Sequence, residues 1–145
     1  MGETLNSTTP MHDSINNNFT IGIVGPCSAG KTTLIQGLKL HGFTARHIAQ
    51  EHSFVPNMWL RITRPDVLIF LDVSYKVSQR RRKLDWLEKD FKEQQLRLAH
   101  AREHADLVIK TDHLAMEEVL ITVVDYLKDT GIRGIGTTEG EKSVK

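Results

Sequence analysis

Eight residues constrain this chain more than all the others: Gly25-Pro-Cys-Ser-Ala-Gly-Lys-Thr32. They match the pattern G-x-x-x-x-G-K-[ST] in full, and the pattern has meaning only between a strand and a helix. That context is present. Phe19 to Val24 is a short β-branched run that reads as a buried strand, and Leu34, Ile35 and Leu38 recur at helical spacing after the loop. Gly25 and Gly30 let the backbone turn sharply and approach an anion with no side chain in the way. The successive amides of Pro26, Cys27, Ser28 and Ala29 and the start of the helix at Lys31, Thr32 and Thr33 then form a concave, electropositive nest (Pro26 supplying the turn rather than an N–H). Lys31 brings a mobile charge for β- and γ-phosphates, and the Thr32 hydroxyl suits a magnesium ion. The expected ligand is a nucleoside triphosphate, ATP, with Mg2+.

The rest of the chain alternates strands and helices. Gly42 stops the first helix, Ala45 to Gln50 is a weaker strand, and Val67 to Leu71 is the strongest strand. Lys76 to about Leu84 is expected to be helical. Asp85 followed by Glu88 has capping spacing and starts a second helix near Trp86 that runs to about Glu103. Ala105 to Lys110 is a fourth strand, and Met116 to Leu127 an amphipathic helix. Apolar strands between helices predict an α/β fold in three layers, about four parallel strands with helices on both faces. Residues 1–18, rich in Asn, Ser and Thr, read as a flexible arm, 19–129 as the folded domain, and 130–145 as a flexible tail.

Composition removes other classes. A formal net charge of +1 gives no electrostatic argument for nucleic acid, and no apolar run approaches a membrane span. The N-terminus has neither a basic start nor an apolar core, and the lone Cys27 cannot form an internal disulfide, so a cytoplasmic protein is expected.

The loop GPCSAGKTT, the segment RPDVLIFLDVSYKVSQRRRK and the closing AREHADLVIKTDHLAMEEVLITVVDYL together resemble the P-loop nucleoside and nucleotide kinase group, as a reduced member. The resemblance implies the P-loop NTPase fold and ATP-dependent transfer of a γ-phosphoryl group to a small molecule. One departure matters: the stretch between ARHIAQ and Pro65 is too short for the usual substrate-binding insert. The acceptor is therefore not inherited from the group. An alternative function is a nucleotide-dependent switch or NTP-hydrolysing module with no acceptor.

Phosphoryl transfer needs a carboxylate to hold magnesium or take a proton. Glu51 ends the weaker strand and Asp72 ends LIFLD; the resemblance favours Glu51 as metal partner beside Thr32. Asp72 could equally satisfy backbone N–H groups at a turn. Arg80, Arg81 and Arg82, represented by Arg81 in the candidate catalytic set with Lys31, Glu51 and Asp72, read as a lid that neutralises developing charge, or as a solvated helix face. Arg61 and Arg64 with Trp59 and His52 occupy the region where an anionic acceptor would bind; alternatively Trp59 plugs the core. His100-Ala-Arg-Glu-His104 spells a zinc-peptidase helix motif, but without a third ligand a solvated, ion-paired face explains it more simply. Cys27 reads as a small side chain tolerated in the loop.

Overall fold

The computed structural model describes residues 19–82 and 87–132. The expected arm, the cap at Asp85, the helix start at Trp86 and most of the expected tail lie outside the described residues. The fold is α/β, with four parallel strands: β1 (Thr20–Val24), β2 (Thr44–His47), β3 (Val67–Asp72) and β4 (Leu107–Lys110). Spatial order is β2-β1-β3-β4. The helices are α1 (Lys31–Leu40), α2 (Tyr75–Arg82), α3 (Glu88–His104) and α4 (Met116–Asp129).

Side chains alternate across a strand, and the two central strands, β1 and β3, are apolar on both sides. Ile21, Ile23, Ile69, Leu71 and Ile109 face one way and pack with Leu34 and Leu38 of α1 and Val119, Val123 and Leu127 of α4. Val24, Leu68 and Phe70 face the other way, against Ile48, Trp59 and Leu98 and Ala101 of α3. Helices thus cover both faces, an arrangement consistent with three layers. Removing the fully buried Phe70 ring would cost about 3–5 kcal/mol.

The expected end of α1 is observed. Gly42 N–H donates to the Lys39 carbonyl and Phe43 N–H to that of Leu38, both at 3.0 Å, so a Schellman turn satisfies the last carbonyls. The same device closes α4, where Gly131 donates to Lys128 (3.0 Å) and Ile132 to Leu127 (2.8 Å), with Ile132 packed on the core. The second strand is shorter than expected. It pairs only as far as His47, Ile48 makes the last bond to Ile23 (3.0 Å), and Gln50–His52 form a single 3-10 turn. Trp59–Thr63 form one π-helical turn that periodicity gave no sign of.

The chain leaves β1 toward β2 on one side and later enters β3 on the other. The strand order therefore reverses between β1 and β3, and the C-terminal ends of such a strand pair are where ligands bind in open parallel sheets. The Gly25–Thr32 loop begins at one of those ends and Asp72 stands at the other. Among the described residues no helix is long and apolar enough to cross a membrane.

Candidate functional site

The loop's shape follows from its glycines. A Cβ at Gly25 would collide with the carbonyl oxygen of Leu71, so the loop can leave the sheet here only because Gly25 has none. Ser28 (φ 72°) and Gly30 (φ 97°) both adopt left-handed backbone, which curls the amides inward before α1 starts. The amides of Ser28, Gly30, Lys31 and Thr32 find no acceptor among the described residues. The exposed Thr32 and Thr33 begin α1, whose positive end points at the same concavity.

Two side chains far away in sequence hold the loop. Gln94 of α3 accepts from the Cys27 amide (3.1 Å) and donates Nε2–H to the Cys27 sulfur (3.2 Å). Arg81 of α2 donates through Nη1 to the Ser28 carbonyl (2.9 Å) and the Thr111 hydroxyl (3.1 Å), and through Nη2 to the Thr111 carbonyl (2.9 Å). Of the three adjacent arginines, Arg80 is exposed, whereas Arg81 bonds the loop. Its three bonds make it a strut between the loop and the end of β4.

Lys31 is only 7% exposed. Its ammonium donates to the carbonyls of Gly25 (2.6 Å) and Pro26 (3.1 Å) and lies 3.0 Å from Glu51 Oε2. Because β2 lies directly beside β1, the turn after it carries Glu51 up to the loop and Lys31. Glu51 is 2% exposed, and its Oε1 is buried with no hydrogen-bond partner among the described residues. His47 and His52 approach Oε2 at 3.9 and 3.7 Å. Burial, with the Lys31 charge in support, lowers the His47 pKa despite Glu51. The charged imidazole is thus disfavoured, which weakens any ion pairing of His47 with Glu51.

The turn bearing Glu51 is fixed by Gln50, which is fully buried and whose amide is fully used. Nε2 donates to the carbonyls of Val55 (2.8 Å) and Arg97 (3.2 Å), and Oε1 accepts from the Trp59 amide (2.8 Å). Arg97 in turn donates to the Glu51 carbonyl (3.3 Å) and lies over the Phe54 ring.

Asp72 has different company. Oδ1 accepts from its neighbour's amide, Val73 (3.0 Å), and Oδ2 pairs with Arg102 at 2.9 Å. Both oxygens are occupied at the start of the turn into α2, and neither bonds the loop or Lys31. Trp59 is buried, donates Nε1–H to His100 Nδ1 (3.0 Å), and packs against His100 and His104. Its ring plugs the second core and is not presented for stacking an acceptor, while Arg61 and Arg64 stand exposed beyond it. The two histidines of the H-x-x-E-H run stack at 4.2 Å between ring centroids. His100 Nδ1 already accepts from Trp59, and among the described residues no third metal-ligating side chain joins the pair.

Sequence reasoning missed Gln50, Gln94 and Arg97. Each is a polar residue in a polar-looking segment, and only the fold shows that it is turned inward. No protein-family model matches the chain, and no similar sequence is found among curated proteins.

Proposed function

We propose that this chain is a P-loop NTPase-fold protein that binds Mg-ATP and transfers the γ-phosphoryl group to a small molecule. The observation that carries the proposal is the Gly25–Thr32 loop itself, left-handed at Ser28 and Gly30, with a buried Lys31 held at its centre by two loop carbonyls and Glu51. On this account the loop amides and the α1 N-terminus receive the phosphates, and Lys31 exchanges its carbonyl partners for phosphate oxygens.

Thr32 and Glu51 would hold magnesium: Thr32 is exposed, the Glu51 oxygen Oε1 has no hydrogen-bond partner among the described residues, and both are hard oxygen donors of the kind that ion takes. Bound magnesium would neutralise charge on the β- and γ-phosphates. Glu51 orients Lys31 and offers a base for the acceptor's proton. Arg81 keeps the Ser28 carbonyl turned away from the anion by bonding it. Catalysis is then positioning plus charge stabilisation.

A second reading, a nucleotide-dependent switch that hydrolyses NTP without an acceptor, is favoured by one observation. Trp59 is withdrawn into the core, and Phe54 and Ile62 stand exposed where an acceptor lobe would be. The deciding experiment incubates γ-labelled ATP and magnesium with the protein and a small-metabolite extract, beside a Lys31→Ala control. A labelled organic product absent from the control supports the kinase. Labelled inorganic phosphate alone supports the switch, and no nucleotide bound or turned over rejects both.

A further inference from the structure

Glu51 has a second set of neighbours that the phosphate chemistry does not use. Cys27 offers its sulfur, His52 a ring nitrogen and Glu51 a carboxylate oxygen, and these three atoms all lie within 4.8 Å of one another. From these, we propose that Cys27, Glu51 and His52 form a binding site for a thiophilic divalent cation of the zinc type, open at its fourth position.

The donor set is the first argument. Thiolate, imidazole and carboxylate are the ligands zinc takes, and three protein ligands with one open position describe an accessible rather than a structural site. Magnesium and calcium, which prefer oxygen throughout, do not match sulfur and nitrogen.

The geometry is the second. Zinc–ligand bonds of about 2.0–2.3 Å at tetrahedral angles put ligand atoms about 3.5 Å apart. The present cluster, within 4.8 Å throughout, has to close by at most about 1.3 Å, and His52, whose side chain is 60% exposed, has room to rotate inward.

The third argument comes from the unfilled bonds. Lys31 takes Glu51 Oε2, leaving the buried Oε1 without a partner among the described residues, in a protein interior where such an atom ordinarily has one. Gln94 already donates to the Cys27 sulfur, the outer-shell bond that orients a metal-binding thiolate and stabilises its charge. As the sulfur–metal bond forms, the thiol proton leaves to solvent.

The Lys31 ammonium opposes a cation here, but it keeps two carbonyl acceptors whichever way Glu51 turns. Such an ion would claim Glu51 and draw Cys27 out of the nest. If the nucleotide reading holds, zinc and Mg-ATP are therefore mutually exclusive.

The test uses tag-free full-length protein under a non-thiol reductant, titrated with cobalt(II) and then with zinc as competitor. The expected result is one equivalent of cobalt giving a sulfur-to-cobalt charge-transfer band that zinc abolishes. Cys27→Ser should remove the band, and His52→Ala, at an exposed position that does not endanger folding, should weaken binding at least ~10-fold. His104→Ala should leave it unchanged. Absence of the band in the wild-type protein, its survival in Cys27→Ser, full affinity in His52→Ala, or its loss in His104→Ala would each overturn the assignment. The spectrum reads the metal directly, so a failure of ATP binding leaves this test intact.

Discussion

The Lys31–Glu51 pair offers the sharpest test of the geometry, because both groups are almost completely buried at 3.0 Å. Removing one partner of a buried pair strands a charge and costs about 3–5 kcal/mol. Lys31 keeps its bonds to the Gly25 and Pro26 carbonyls, each a charge-assisted bond worth about 1.5–3 kcal/mol, so Glu51→Gln should fall at the low end, near 3 kcal/mol. Lys31→Met should cost about as much, since Glu51 would keep only its 3.9 and 3.7 Å approaches to His47 and His52 as partial compensation. The double variant leaves no charge to strand. It should lose only about 3–4 kcal/mol in total, a coupling of about 2–3 kcal/mol. Urea unfolding of the four proteins, compared at equal m-values, measures that coupling. Strict additivity, or single losses below about 1 kcal/mol, would refute the reasoning, because that is how a solvent-screened surface pair behaves.

Three further expectations follow from the same contacts. Glu51→Gln should slow ATP turnover at least ~10²-fold as the loss of a base requires, whereas Asp72→Asn should change stability through Arg102 more than turnover; the reverse outcome in steady-state assays would move the base to β3. Arg81→Ala removes one hydrogen bond to the loop and two to Thr111 and should raise amide exchange selectively in the loop; uniform exchange across the protein would deny the strut. Burial pushes the Asp112 pKa up, but bonds from the Ser74 amide (2.8 Å) and hydroxyl outweigh it, and the net shift is downward from 3.8. Its contribution is full above pH 3.8 and lost as pH falls through the lower folded value, so the melting temperature of Asp112→Asn should fall less on acidification than that of the wild type. Parallel acid profiles would contradict this.

The sequence revealed what is local. The strand Thr20–Val24, the loop and α1 announce themselves through β-branching, glycine spacing and a 3.6-residue period, and all appear as expected. Faces of β3 were legible because a strand apolar at every position is covered on both sides. What failed depended on distant partners. ARHIAQ looked like a strand to its last residue, yet pairing ends at His47, because the chain turns to bury Gln50 and bond its amide to residues as remote as Arg97. Glu51 was in the candidate set, but its bond to Lys31 exists only because β2 lies beside β1, a matter of strand order that no local pattern encodes. Trp59 was open between acceptor binding and core, and its bond to His100, forty-one residues away, decides for the core.

The central claim is that the Gly25–Thr32 loop binds nucleotide phosphates, and calorimetric titration of Mg-ATP into the full chain tests it most directly. The account predicts saturable binding at one site per chain, weakened in a folded Lys31→Ala variant by about 1.5–3 kcal/mol, the scale of a lost charge-assisted contact and about ten- to hundred-fold in affinity. No heat of binding in the wild-type protein, or equal affinity in the variant, would contradict it.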